Sequence, residues 1–351
     1  MKEFFKSYRE VLLKEVSSVI TTYKKISNRN YPWSNDALER LEKFVSAGKL
    51  IRGTLVILAA QPRNAKSLND AVKIGSALEL MHSGILIHDD IMDRDEKRRG
   101  LPTIYSQYKS ISSVKDKEEQ LHYGESLASC VAIISYFLAF GQFSKIGSKQ
   151  SELLHLFSEE MVRLGLAQMD DVDMATHHEK VSFKSVLRIY EQKTGRYTFA
   201  LPLIAGFSLA GKGSAKTSKN VFELAEYLGI IFQLRDDVLG VFGSPKSTGK
   251  SVGGDIRERK LTWLYYQTVK NIGSADSKTL QKLYAGKKLL DKSEQVWVMK
   301  KMHEAKVEDK ANSELLKYKK LTLELIKKLP LPKKELQVLE QLIDYLVVRD
   351  K

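Results

Sequence analysis

The chain has 351 residues, 43% of them hydrophobic and 28% charged, a balance that excludes a disordered or fibrous polymer and leaves length enough for a large buried core. Its formal charge of +14 favours polyanionic partners, whether nucleic acid, anionic lipid or phosphorylated small molecules. The lysines are spread along the chain with no arginine-rich arm, zinc spacing or aromatic–basic interleaving, which argues against nucleic acid. The single Cys130 rules out an internal disulfide or a thiolate metal cluster.

The first segment, MKEFFKSYREVLLKEV, carries charges every few residues and lacks the apolar core of a secretory signal. No apolar run is expected to reach the length of a membrane span, so a cytoplasmic enzyme is the expectation. Pro32, Pro62, Pro102, Pro245, Pro330 and Pro332 punctuate long segments with helical spacing of apolar residues. The spacing predicts long helices from Leu68 to Asp93, Glu118 to Phe143 and Val221 to Asp237, apolar most of the way round as in the interior of a bundle. Cys130, within the second of these, reads as a small buried hydrophobe. Pro202 interrupts FALPLIAGFSLAG and should begin or kink a helix. Strand signals are weak throughout, and AQPRNAKS, AGKGSAKTS and VFGSPKSTGKSVGG read as ordinary loops. One all-α domain over 1–351 is the expected organisation.

Two acidic clusters carry the chemistry. In LELMHSGILIHDDIMDRDEKRRGLPT an apolar helix runs into Asp89, Asp90 and Asp93, followed by Asp95, Arg98 and Arg99. At helical pitch Asp89 and Asp93 lie one turn apart on one face, where their repulsion invites a divalent cation. Magnesium prefers such hard oxygens and takes one or two carboxylates together with water and phosphate. A lone cluster of this kind is equally a solvated acidic patch, but the pattern recurs. IIFQLRDDVLGVFGSPKSTGKSVGGDIRERKLTWL again ends an apolar helix in Asp236 and Asp237, with Lys250, Asp255 and Lys260 beyond. Two such helices, each followed by a basic loop, suggest facing walls of one diphosphate-binding cavity. The stretch Gly243 to Ser251 imitates a nucleotide phosphate loop, but its glycine spacing is wrong and it follows a helix instead of a strand.

With these motifs in place the chain resembles the trans-isoprenyl diphosphate synthases, or polyprenyl synthetases, over residues 45–265. GKLIRG is similar to that family's Gly-Lys-x-x-Arg, which implies that Lys49 and Arg52 bind isopentenyl diphosphate together with His82 and Arg99. Asp89, Asp90 and Asp93 look like the first magnesium motif, and Arg98 would meet the allylic diphosphate. AQMDD resembles the family's Gly-Gln-x-x-Asp through Gln168 and Asp171, with Ala167 for the glycine. QKTGRYTFALPL supplies Lys193 and Thr194, while FQLRDDVLG supplies Gln233 and the second metal pair, Asp236 and Asp237. Lys250 and Lys260 follow as diphosphate-binding lysines. By themselves His82 would be a core histidine, His177 and His178 surface residues, and Lys193 or Arg98 solvated charges; their order raises them.

The resemblance implies an all-α isoprenoid synthase fold, a single large bundle of long antiparallel helices around a central cavity. It implies three magnesium ions, isopentenyl and allylic diphosphate substrates, a homodimer, and peripheral membrane contact at product release. It also implies a catalytic set of Asp89, Asp90, Lys193, Thr194, Gln233 and Asp236. Two departures are Ala132 and Ile133 in place of a family Gly-Asp, and Gly240 where the second motif often has aspartate. Gly84 stands five residues before Asp89, where a bulky aromatic often floors the product cavity; a floor near Met81, Ala77 or Tyr136 and a product of geranylgeranyl length or longer follow. The competing classes are a class I terpene cyclase, whose second metal motif is not seen, and a non-catalytic subunit of a heteromeric synthase, whose acidic motifs would be degenerate.

Overall fold

The computed structural model describes residues 1–27, 31–177, 181–243, 253–286 and 288–349. Among them the chain is all-α, with one two-stranded hairpin as its only sheet. It divides into two compact units, Met1–Phe157 with Pro202–Gly213, and Ser158–Leu201 with Ser214–Lys351.

In the first unit α1 (Lys2–Ser27), α2 (Ser34–Ser46) and α3 (Ile51–Ala60) precede the long α4 (Ala65–Met92). Asn64 starts α4 with a reciprocal cap: its side chain accepts from Ser67 N at 2.9 Å while the Ser67 hydroxyl accepts from Asn64 N at 3.2 Å. The hairpin β1 (Lys97–Arg98) and β2 (Leu101–Pro102) follows, then α5 (Ile104–Ile111) and α6 (Lys117–Phe143), which Asp116 caps. α4 lies between α3 and α6, and Leu12, Leu50, Ile57, Ala60, Ala71 and Val72 form one apolar cluster beneath α3.

Two expectations about α6 need correction. It is, by length and composition, apolar enough to cross a bilayer, and less than half of that stretch is buried. The reason is that α6 turns one face to α4 and α5 and leaves Ile133, Phe137 and Phe140 exposed on another. Cys130 is likewise exposed, not buried. It sits one turn before Ile133, on the same exposed side of α6.

α7 (Gln150–Thr176) passes into the second unit, which continues with α8 (Phe183–Ile189), a π-helix (Tyr190–Ala200) and the start of α9 (Leu201–Leu209), most of which belongs to the first unit. Pro202 is the second residue of α9, at the end of the π-helix, where its missing N–H costs least. α10 (Ala215–Phe242), capped by Ser214, packs along the π-helix. Beyond it come α11 (Gly254–Arg257), α12 (Trp263–Asn271), α13 (Ser274–Tyr284), α14 (Lys292–Glu304), α15 (Val307–Ile326) and α16 (Lys333–Val348). α15 and α16 complete the packing around α10.

Candidate active site

The first acidic cluster is built where α4 ends. Asp93 caps the helix with its N–H on the Asp89 carbonyl at 2.8 Å. Helical geometry puts Asp89 and Asp93 on one face and rotates Asp90 away, and Asp90 is only 1% exposed. The Arg98 guanidinium donates through Nε to Asp90 Oδ1 at 2.5 Å, whereas Oδ2 is buried without a hydrogen-bond partner. Burial pushes the Asp90 carboxyl up to about 6, with Arg98 pulling the other way. The hairpin that returns Arg98 turns at Arg99 and Gly100, both left-handed at φ 54° and 77°, as a tight two-residue connection requires. Sequence periodicity gave no sign of this hairpin, because its strands are only two residues long.

The same turn brings Arg99 against the loop before α3: Arg99 Nη1 lies 3.3 Å from where a Cβ on Gly48 would sit. Leu50, buried at 2% exposure, begins α3 in the left-handed region at φ 51°, an uncommon conformation for leucine that its core anchorage sustains. Arg9 of α1 binds the carbonyls of Ser46 and Gly48, the latter at 3.0 Å. This fixed loop presents Lys49 on the exterior and starts the turn carrying Arg52. One turn of α4 above, His82 is held well below its ordinary pKa, first by burial and then by Arg52, Arg99 and Arg98. Glu79, 4% exposed, accepts from Gly53 N at 2.7 Å; burial raises its pKa against the pull of Arg52 and Arg99. Arg52, Arg98 and Arg99 therefore all act on the His82 imidazole, with the buried carboxylates of Glu79 and Asp90 among them.

In the second unit the π-helix widens the turn that carries Lys193 and Thr194. Its close approach to α10 depends on two glycines: a Cβ on Gly195 would meet the Ala225 carbonyl at 2.5 Å, and one on Gly229 the Tyr190 carbonyl at 2.6 Å. Gln233 donates to Thr194 Oγ1 at 2.6 Å, and Lys193 pairs with Asp171 at 2.9 Å. Asp237 is 7% exposed and accepts from the Tyr190 hydroxyl, which in turn accepts from Trp263 N at 3.2 Å. Burial, then the charge of Asp255, raises the Asp237 carboxyl well above its ordinary value. Asp236 is more open and pairs with Arg349 at 2.5 Å. Gly240 has a steric reason: the Asp255 carboxylate occupies the space in which any side chain at 240 would begin. Lys260 Nζ lies 3.7 Å from Asp255.

Within the first unit, then, Arg52, His82, Asp90, Arg98 and Arg99 come together, and in the second Lys193, Thr194, Gln233, Asp236, Asp237 and Lys260 lie along the π-helix, α10 and the segment after α11. Lys250 and His178 lie outside the described residues. Arg9, Glu79, Tyr190 and Arg349 escaped the sequence reading, since each acts through a partner far along the chain. For magnesium, no three Asp, Glu, His or Cys groups among the described residues converge into a closed protein site. The donors still suit that ion: hard carboxylate oxygens on one helix face, and an unsatisfied oxygen on buried Asp90. They fit a cation that brings diphosphate oxygens and water with it.

The chain is similar to known proteins in sequence and fold. The model of the polyprenyl synthetase family matches residues 35–302. A short chain isoprenyl diphosphate synthase of Methanocaldococcus jannaschii is 28% identical over 298 residues, covering 83% of each chain. A geranylfarnesyl diphosphate synthase of Aeropyrum pernix is 32% identical over 234 residues, 66% of this chain and 70% of the relative. Among solved structures, geranylgeranyl pyrophosphate synthase from Corynebacterium glutamicum, complexed with isoprenyl diphosphate and magnesium, superposes with a TM-score of 0.86 at 24% identity, covering 97% of this chain and 98% of that one. The fold shared with that structure is the all-α isoprenoid synthase fold.

Proposed function

The chain belongs to the polyprenyl synthetase family and is a prenyltransferase, and from that premise we propose that it joins isopentenyl diphosphate head to tail to an allylic diphosphate. The observation that carries this reading is the gathering of Arg52, Arg98 and Arg99 around partly buried His82, with Arg98 fixed on Asp90 at the end of α4 and Arg99 set against the Gly48 loop. Such a cationic pocket needs a polyanion, and the adjacent carboxylates need a divalent cation.

Arg52, His82, Arg99 and exposed Lys49 would hold isopentenyl diphosphate. Because His82 stays neutral, it can donate one ring N–H to a phosphate oxygen without a proton being exchanged. Arg98, fixed by Asp90, would meet the allylic diphosphate with Lys193, Lys250 and Lys260. Asp89, Asp93 and Asp236 would hold magnesium, whose charge makes the allylic diphosphate a better leaving group. Asp90 and Asp237 would add oxygens to that set while their protein partners, Arg98 and Tyr190, hold them in place. As the allylic C–O bond breaks, the arginines and lysines stabilise the departing diphosphate, and the Thr194 and Gln233 dipoles face the developing carbocation. The isopentenyl double bond then supplies the electrons of the new C–C bond, and a proton leaves to the released pyrophosphate.

The geranylgeranyl or longer product expected from Gly84 alone meets a counterweight in Tyr136, which takes from α6 the space beside Gly84 and would set the floor there. A homodimer is supported by the exposed row Ile133, Phe137 and Phe140 on α6. The test is chain extension with labelled isopentenyl diphosphate, allylic primers of increasing length, and magnesium. Extension that stops with EDTA, and is lost in Asp89→Ala with helicity unchanged, is the expected outcome. Retained extension in Asp89→Ala would refute the assignment.

A further inference from the structure

Arg349 lies just past the C-terminal end of α16 and is 8% exposed, an unusual burial for a guanidinium. Its Nη2 donates to Asp236 Oδ1 at 2.5 Å and to the Phe232 carbonyl at 3.0 Å, and its Cζ sits 4.0 Å from the centre of the Phe232 ring. Arg235 Nε donates to the Arg349 carbonyl at 2.7 Å, and the Arg349 amide to the Tyr345 carbonyl at 2.8 Å. Arg349 Nε is buried with no hydrogen-bond partner.

The carbonyl, the ring and Arg235 would suffice to seat the end of α16 on α10. The contact with Asp236 adds something else, a positive charge on the most open carboxylate of the second acidic cluster. A guanidinium and a carboxylate can pair through two parallel bonds, the strong arrangement. Here a single Nη2 is shared between Asp236 and a carbonyl while Nε goes unused. A cation held in this way neutralises Asp236 and can still be displaced.

We infer that Arg349 is a positioning residue, the built-in counter-cation of Asp236, which surrenders that carboxylate when a divalent metal takes it. Metal loading and the docking of the C-terminus are then one equilibrium. By mass action, whatever occupies Asp236 in the metal-free protein lowers its apparent metal affinity. The inference rests on the reading of Asp236 as a magnesium ligand.

The test uses the full chain and manganese with inorganic pyrophosphate, binding being followed by calorimetry and by the manganese spin-resonance signal. Arg349→Gln should bind the metal at least about threefold more tightly than wild type, since its competitor is gone. Arg235→Gln, which loosens the carbonyl anchor and leaves the Arg349 guanidinium in place, should shift affinity the same way by less. In the wild-type protein, hydrogen exchange over residues 345–349 should quicken when metal and pyrophosphate are added. Unchanged or weaker metal binding in Arg349→Gln would overturn the inference and leave the proposed function standing, as would unaltered wild-type exchange on saturation. A wild-type protein that binds no manganese with pyrophosphate would overturn the proposed function and the inference together. Should Arg349→Gln fail to fold, the Arg235→Gln affinity and wild-type exchange decide the matter.

Discussion

Asp89 and Asp90 are neighbours in sequence with different tasks, because one residue of helix rotates them about 100° apart. Asp89 shares its face with Asp93, while Asp90 is buried and spends one oxygen on Arg98. Asp90→Asn keeps the volume and loses the charge that holds the guanidinium, an interaction of about 1.5–3 kcal/mol when buried. Steady-state kinetics on Asp90→Asn should show KM for the allylic diphosphate rising about tenfold, with KM for isopentenyl diphosphate changing less. A larger rise in KM for isopentenyl diphosphate would mean that Arg98 serves the other substrate. His82 adds a pH dependence whose sign follows from its depressed folded-state value. Below pH about 6.5 the unfolded chain takes up a proton on this imidazole and the folded protein resists it, so the stability it contributes is present above that pH and lost as pH falls. Urea unfolding of His82→Gln should therefore lose less stability than wild type between pH 7.5 and 5.5. Parallel losses in the two proteins would place the titration elsewhere.

At the scale of elements, α4 and α6 pack closely along the turn of Gly84. A Cβ on Gly84 would come within 2.5 Å of the Tyr136 ring and 2.9 Å of the Ala132 carbonyl. Tyr136 thus fills from α6 the volume that a large residue at position 84 would fill from α4, and its hydroxyl is tied to His88 Nδ1 at 3.1 Å. The replacement of a family Gly-Asp by Ala132 and Ile133 falls on this contact: Ala132 is fully buried and Ile133 points away, half exposed. Gly84→Phe cannot occupy open space and should destabilise by about 1–3 kcal/mol or more through overpacking, seen as a lower Tm. Tyr136→Ala should lengthen the product by at least one isoprene unit in a chain-length assay. An unaltered product would move the floor to another wall.

For the whole molecule, the charge of +14 and the exposed apolar row on α6 make different demands. The charge suits diphosphates, whereas Ile133, Phe137 and Phe140, spaced along one helix face, are side chains that a second copy would cover. Phe137→Glu should convert a dimer to monomers in sedimentation at micromolar concentration while leaving helicity intact. A wild-type monomer under those conditions would refute the dimer, and Phe137→Glu dimers would place the interface elsewhere.

Much of this protein was determined locally. The helices over Leu68–Asp93 and Glu118–Phe143 were legible to within a few residues, and that over Val221–Asp237 as the middle of the longer α10, since apolar spacing acts within a turn or two while the caps Asn64, Asp116 and Ser214 set where each helix begins. The acidic clusters and the basic residues after them were legible for the same reason, as runs of neighbouring residues. What tertiary structure decided was which charge meets which. Tyr190 reaches Asp237 across 47 residues of chain and Arg349 reaches Asp236 across 113. Glu79 reaches Gly53 across 26, and Asp255 closes over Gly240. The exposure of Cys130 and of one face of α6 belongs with these. Periodicity says that a face is apolar, but only the packing of other elements determines whether that face is covered, and no spacing within a single helix carries that information.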